Sequence, residues 1–325
     1  MIVNGKHHGI VMTLKSSLSF AIIACTLTAL CPRCTAQAAP PTKAAPQAVF
    51  PFAQEQRFGT TAGLAQKEAD LRAALAAQPE EASLLYALAL VLRQEGKAGE
   101  SLQTYTHAAQ LRKPTPQQLR SVALNYVLMD DYEDAIHWLE TAEAMAPSDP
   151  DILYALARCY YTKNRFVEAG TLYLRVLALR PRDLKAEENL GLTYEATNRS
   201  AEAESALRAA ASWADPRGID EWPFVDLGAY LLDHNRPQEA IEPLQTAVRI
   251  QPASAIAHEK LGRALLATQQ SAAGIEHLRK AASLDPRNPR VHYELGRALR
   301  DAGQTEEAKK EFVLSQQLYS SHSAE

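Results

Sequence analysis

From Ala82 onward, apolar and polar positions return in the same order every 34 residues. Pro147 and Pro181 are 34 apart, as are Pro252 and Pro286, and counting each as position 32 of a repeat fills the other slots without adjustment. Repeats then begin at Ala82, Pro116, Pro150, Leu184, Glu221, Ala255 and Pro289. Position 8 is always small: Ala89, Ala123, Ala157, Gly191, Gly228, Gly262 and Gly296. Position 20 is also small: Ser101, Ala135, Ala169, Ala203, Ala240, Gly274 and Ala308. Position 7 is Leu or Val throughout, from Leu88 to Leu295, and position 24 runs from Tyr105 to Phe312 with only Leu, Tyr or Phe.

These slots predict two antiparallel helices per repeat. Small residues at positions 8 and 20 let the pair cross closely, and positions 7, 11 and 24 fill the space around the crossing. Position 27 (Ala108, Ala142, Val176, Ala210, Ala247, Ala281, Ser315) is small enough to admit the next repeat's first helix. Proline at position 32 has no N–H and disfavours helix in the residue before it, so it ends the second helix. Such a pair is too thin to bury its own apolar face, and neighbours must stack. The period slips once: Leu184 to Glu221 spans 37 residues, with three extra residues between Trp213 and Asp220. That segment reads as a longer inter-repeat turn. Upstream, Thr61 to Gln78 followed by Pro79 matches the second half of a further repeat, a half-repeat cap over 61–81 with Leu71, Ala74 and Pro79 in the expected slots.

The pattern over Ala82 to about Tyr319 resembles the tetratricopeptide repeat (TPR), whose signature is Trp-x2-Leu-Gly-x2-Tyr, then Ala, an aromatic and Pro. The Trp slot departs from it, holding Leu85, Leu119, Leu153, Glu187, Phe224, His258 and His292. The resemblance implies an all-α solenoid, a right-handed superhelix of antiparallel helix pairs, with seven repeats over 82–322. It implies a protein or peptide partner as well. In this family the first helices line the concave face, with positions 2, 5, 9 and 12 turned into it. Carried onto this chain, those slots give the candidate partner-binding set Tyr86, Arg93, Arg120, Tyr154, Arg158, Tyr161, Trp222, Arg263, Tyr293, Arg297 and Arg300, interrupted by Glu188 and Glu195. Arginine and aromatic side chains are the usual anchors of interfaces, and arginine holds a carboxylate through two parallel hydrogen bonds. The expected guest is an extended, mildly acidic segment. One subgroup of the family grips chain-terminal carboxylates with Asn at position 9. Here that position holds Leu90, Leu124, Arg158, Leu192, Ala229, Arg263 and Arg297, so that activity is not carried over.

The N-terminus changes the setting. Lys15 precedes an apolar stretch, Leu18 to Leu30, and Ala36-Gln37-Ala38 offers small residues where a signal peptidase needs them. Residues 1–38 therefore read as a secretory signal cleaved after Ala38, with translation starting at Met1 or Met12. Residues 39–60 follow as a Pro- and Ala-rich linker carrying Phe50, Phe52 and Phe58. The expected place is the periplasm, the cell envelope or the exterior. Ile22-Ile23-Ala24-Cys25 also resembles a lipobox, which leaves open a lipid- or membrane-anchored assembly factor for an envelope secretion or pilus machine. Membrane contact is expected only if this segment is retained or lipidated. Cleavage removes Cys25, Cys31 and Cys34 and leaves Cys159, inside a helix, as a small buried filler.

Composition narrows the function classes. The net charge of −4 comes without a basic block, so nucleic acid has no electrostatic footprint here. No phosphate-binding Gly-rich loop, nucleophile elbow or His-Glu-x-x-His frame occurs, and neither an enzyme nor a cofactor is expected. His258 and His292 share position 4 of successive repeats. Stacked helices about 8–10 Å apart cannot bring two such rings to one metal ion, so both read as space-fillers.

Overall fold

A computed structural model describes residues 61–322, and within them it contains fifteen α-helices and no strand. The signal segment, the linker with its three phenylalanines, Cys25 and the alternative start at Met12 lie outside the described residues. The chain divides into two compact units, one ending at Met129 and one beginning at Asp130. No described helix is long and apolar enough to cross a membrane.

The first unit holds α1 (Thr61–Ala77), α2 (Ala82–Gln94), α3 (Ala98–Leu111) and α4 (Pro116–Leu128). α2 packs on α1 and α3, and α3 on α4. The crossing of α2 and α3 shows what positions 8 and 20 do: Ser101 Oγ donates to the Ala89 carbonyl at 2.6 Å, a contact that only small residues permit. Asn125 of α4 donates to the same Ser101 hydroxyl at 3.0 Å, so a buried polar position is satisfied from two sides. Two ion pairs, Arg72 with Glu100 and Lys97 with Glu68, join α1 to α3 and the turn before it.

The second unit holds α5 (Tyr132–Met145), α6 (Pro150–Thr162), α7 (Phe166–Leu179), α8 (Leu184–Ala196), α9 (Ser200–Trp213), α10 (Trp222–Asp233), α11 (Pro237–Ile250), α12 (Ala255–Ala267), α13 (Ser271–Leu284), α14 (Pro289–Asp301) and α15 (Thr305–His322). Each helix packs on the next. Gly191 and Gly296 lie beneath Leu207 and Phe312, where an added Cβ would come within 2.8 and 2.9 Å of those side chains. Gly262 and Gly274 bring the α12 and α13 backbones together, each lacking the Cβ that would strike the other's carbonyl at 3.0 Å. Ala142, Val176, Ala210, Ala247 and Ala281, all at position 27, have no exposed surface.

Local chemistry sets the ends. Glu81, Thr115, Asp149, Asp183, Ser254 and Asn288, one residue before the first helices, accept hydrogen bonds from free backbone N–H groups of α2, α4, α6, α8, α12 and α14. Those helices close through a residue in the left-handed conformation: Gly96, Asp130, Asn164, Asn198, Gln269 and Gly303, joined by Asn235 after α10. The helices before Pro147, Pro181, Pro252 and Pro286 stop at Met145, Leu179, Ile250 and Leu284. The longer α9–α10 connection is a compact turn, in which the N–H groups of Gly218 and Arg217 bond to the Asp215 carbonyl and carboxylate.

Candidate partner-binding surface

In the second unit α6, α8, α10, α12 and α14, the first helices of successive repeats, form one row, with side-chain contacts between α6 and α8 and between α12 and α14 and with α10 packed near α12. Asn189 of α8 donates to the Tyr154 hydroxyl of α6 at 3.3 Å. Glu188 of α8 and Asp226 of α10 act on each other electrostatically. Arg263 of α12 approaches Glu294 of α14 at 3.7 Å. The other helices are held on the far side by their own ion pairs, including Arg175–Glu143, Arg208–Glu239 and Arg279–Glu307.

The sequence-derived residues divide into three groups. Arg93, Arg158 and Tyr86 are buried, at 6 %, 7 % and 5 % exposure. Tyr86 donates to the Arg112 carbonyl at 2.6 Å, and the Arg112 guanidinium lies 5.4 Å from its ring centre. Burial lowers the pKa of Arg93, and Tyr105 partly restores it. These three side chains act largely as inward packing. Arg120, Tyr154, Tyr161 and Trp222 are half-buried. Tyr161 packs edge-on against Phe166 with ring centres 5.2 Å apart, and Tyr154 lies 5.9 Å from Tyr173. Trp222 flanks the cluster of Phe224, Val225, Ala247 and Ala257.

The third group is gathered near the C-terminal end of the row. Tyr293, Arg297 and Arg300 are exposed, and Arg263 is half-buried. Arg263 and Arg297 line one cavity of about 560 Å³ with Leu266, Gln269, Glu294 and Asp301. Arg263 is held between Glu259 at 4.0 Å and Glu294 at 3.7 Å, and Arg290 reaches the same two acids at 3.5 and 3.2 Å. Arg300 pairs with its neighbour Asp301 at 2.9 Å. Tyr293 lies over Phe312 with ring centres 5.8 Å apart. Burial and the adjacent Glu259 raise the pKa of Glu294.

A second feature of the row is only half covered by the position 2, 5, 9 and 12 rule, which includes Glu188 at position 5 and omits Asp226. Glu188 and Asp226 are 3 % and 8 % exposed, and each acts on the other's carboxyl group. Glu188 Oε1 and Asp226 Oδ2 have no hydrogen-bond donor, nor has the Tyr161 hydroxyl a partner. Burial raises both acids, Asp226 to about 7 and Glu188 well above the ordinary carboxylate range. Asp226, Lys260 and Glu294 occupy position 6, which the family rule leaves out although it faces this row too. The available signal was a charged residue inside an apolar helical run, as in Trp222-Pro223-Phe224-Val225-Asp226-Leu227.

The two histidines have partners other than each other. His258 Nδ1 faces His277 Nδ1 at 2.9 Å, and its Nε2 meets the Pro252 carbonyl at 3.2 Å. His292 repeats the arrangement with Glu311 at 2.7 Å and the Pro286 carbonyl at 3.1 Å. No group of three metal-ligating side chains occurs among the described residues. Cys159 is fully buried, and burial pushes its thiol up to about 12.

Sequence models described as tetratricopeptide repeat match residues 68–116, 126–186, 188–216, 225–289 and 269–314. Compared by sequence, no curated protein matches the chain. Among solved structures the chain is similar to a tetratricopeptide repeat protein from Parabacteroides merdae, with 19 % identity and a TM-score of 0.58 over 78 % of this chain and 92 % of that one. It is similar to pilF of Pseudomonas aeruginosa, with 20 % identity and a TM-score of 0.56 over 63 % and 91 %. A third similarity is to the Cut9–Hcn1 hetero-tetramer of the APC/C, with 15 % identity and a TM-score of 0.60 over 77 % of this chain and 49 % of that one. At these identities the likeness is one of fold. Repeat matches along the chain and helices stacked in the same way together make it a member of the tetratricopeptide-repeat family, an all-α solenoid of the kind that serves as a scaffold for protein–protein interaction.

Proposed function

We propose that the row formed by α6, α8, α10, α12 and α14 receives an extended segment of a partner polypeptide, with an acidic side chain of that segment entering the cavity between α12 and α14. The carrying observation is that cavity of about 560 Å³, which Arg263 and Arg297 line together. Arg263 is already compensated by Glu259 and Glu294, whereas Arg297 is exposed and ready for a carboxylate. Tyr293, exposed beside Phe312, offers an apolar plane next to the charge. The N-terminal pattern adds that this scaffold works after export, released behind Ala38 into the periplasm or envelope.

A photo-crosslinking residue in place of Tyr293 should capture a partner from envelope extract. Arg297→Glu should then reduce capture about tenfold or more, the loss of a charge-assisted hydrogen bond made worse by repulsion. Undiminished capture by Arg297→Glu would remove the acidic side chain from the cavity. N-terminal sequencing of the exported chain should begin at Ala39. A lipid label on Cys25 instead would favour the anchored assembly factor suggested by Ile22-Ile23-Ala24-Cys25.

A further inference from the structure

The turn between α12 and α13 borders the cavity that Arg263 and Arg297 share, and one of its residues departs from the other repeats. Position 15 is left-handed throughout, and Gly96, Asp130, Asn164, Asn198, Asn235 and Gly303 suit it, having no side chain or a short one that bonds locally. The sixth repeat has Gln269 there, at φ 64°. Its longer side chain gains nothing from that backbone conformation.

The turn itself does not need the carboxamide. Main-chain bonds close it, from the Gln269 N–H to the Leu266 carbonyl at 3.1 Å and from the Gln270 N–H to the Leu265 carbonyl at 2.8 Å. In the next repeat the same pair of bonds forms around Gly303, at 2.9 and 2.8 Å, with no side chain at all. Among the described residues the Gln269 carboxamide makes no hydrogen bond, yet the side chain lines the cavity beside both arginines. A strained residue whose side chain the fold leaves unused is one that a ligand can use.

The rest of the cavity wall shows what the carboxamide adds. Glu294 is already met by Arg263 and Arg290 at 3.7 and 3.2 Å, and Asp301 by Arg300 at 2.9 Å. Arg297, which makes no ion pair among the described residues, is left for an incoming carboxylate. A guanidinium only donates, whereas a carboxamide donates and accepts at once. Its complement is an N–H and a C=O held side by side, which in an extended segment are those of a single residue.

We propose that Gln269 is a specificity-determining residue of this cavity, pairing through its carboxamide with the main-chain N–H and C=O of the guest's acidic residue while Arg297 takes that residue's carboxylate. The role of Gln269 rests on the acidic-guest reading and narrows it: the ligand is an extended peptide read along its main chain, not an isolated acid.

The probe is acetyl-Ala-Glu-Ala-amide, titrated into the chain by NMR beside its ester analogue, in which oxygen replaces the glutamyl N–H. The ester should bind the native chain about three- to tenfold more weakly, for the loss of one neutral hydrogen bond. Gln269→Gly should bind the peptide at least as weakly as the native chain binds the ester, and should no longer separate the two. Gln269→Glu, which keeps the length but sets a carboxylate against the guest's acid, should weaken the peptide further. The melting temperature of free Gln269→Gly should not fall, since glycine accepts the left-handed backbone; a lower melting temperature together with weaker binding would assign the carboxamide to the fold and overturn its role in the guest site. If the native chain does not bind the peptide, or Arg297→Glu binds it equally well, the acidic-guest reading falls and the role of Gln269 with it. If Arg297→Glu loses the peptide while Gln269→Gly still separates peptide from ester, the role of Gln269 alone is overturned.

Discussion

At Gly228 an added Cβ would land on Leu244, itself fully buried, and the crossing of α10 with α11 leaves it nowhere to go. Gly99, in α3, meets nothing within 4 Å. The same Gly→Ala change should therefore have opposite signs at the two sites. Gly228→Ala should lower stability by about 1–3 kcal/mol through overpacking, less the helix-propensity gain. Gly99→Ala should raise it by about 0.5–1 kcal/mol. Urea denaturation of both variants measures this, and a stabilised Gly228→Ala would mean that Leu244 swings aside freely. That positions 8 and 20 must be small was legible from the sequence, because a close crossing leaves the same mark in every repeat. The environments of the charged side chains were not. Arg93, Arg158 and Asp226 look like surface groups by residue type, yet are buried, Arg93 near Tyr105 and Arg120 and Asp226 near Glu188 and Lys260. Arg120, Glu188 and Lys260 belong to adjoining repeats, which a slot rule applied one repeat at a time does not represent. His258 shows the same limit: its partner His277 comes from the second helix of its own repeat, at a position that holds Glu311 in the next.

The ends of the helices carry signals that the apolar pattern does not. The residue before each repeat's first position accepts a hydrogen bond from a backbone N–H of the first helix in all seven repeats; beside the lengthened turn this is Asp220, which takes the Trp222 N–H at 3.3 Å while Glu221 itself makes no side-chain cap. Position 15 turns left-handed in every repeat, with φ between 57° and 81°. Glycine, asparagine and aspartate fill it everywhere except at Gln269, where φ is 64°. A long side chain in that conformation is disfavoured by about 1–2 kcal/mol. Gln269→Gly should recover part of this, about 0.5–1 kcal/mol after the glycine's greater freedom in the unfolded chain is deducted. Thermal or urea unfolding checks the sign, and a destabilised variant would show that the Gln269 side chain contributes more beside the α12–α14 cavity than its backbone strain costs. The residue types at position 15 were visible in the sequence from the start. Their conformational meaning becomes plain only once the Gln270 N–H is seen to bond back to the Leu265 carbonyl, closing the helix.

At the scale of the whole molecule the question is how far a local disturbance travels. Each helix of the second unit packs mainly on its predecessor and successor, and the ion pairs Arg208–Glu239 and Arg279–Glu307 join the second helices of successive repeats, α9 with α11 and α13 with α15. Those pairs are about half exposed and contribute little, about 0–1 kcal/mol each, so the apolar contacts between adjacent helices carry the stability. An array of this kind has stabilities that sum over repeats and their interfaces rather than one indivisible core. The overpacked Gly228→Ala variant tests that directly. Hydrogen exchange should show the greatest loss of protection in α10 and α11, a smaller loss in α9 and α12, and almost none in α5, α6, α14 and α15. A uniform loss across the second unit would mean that its helices unfold together. A graded loss would mean that a disturbance at the α10–α11 crossing fades before it reaches α14, so that the cavity lined by Arg263 and Arg297 keeps its shape while one place in the array loosens.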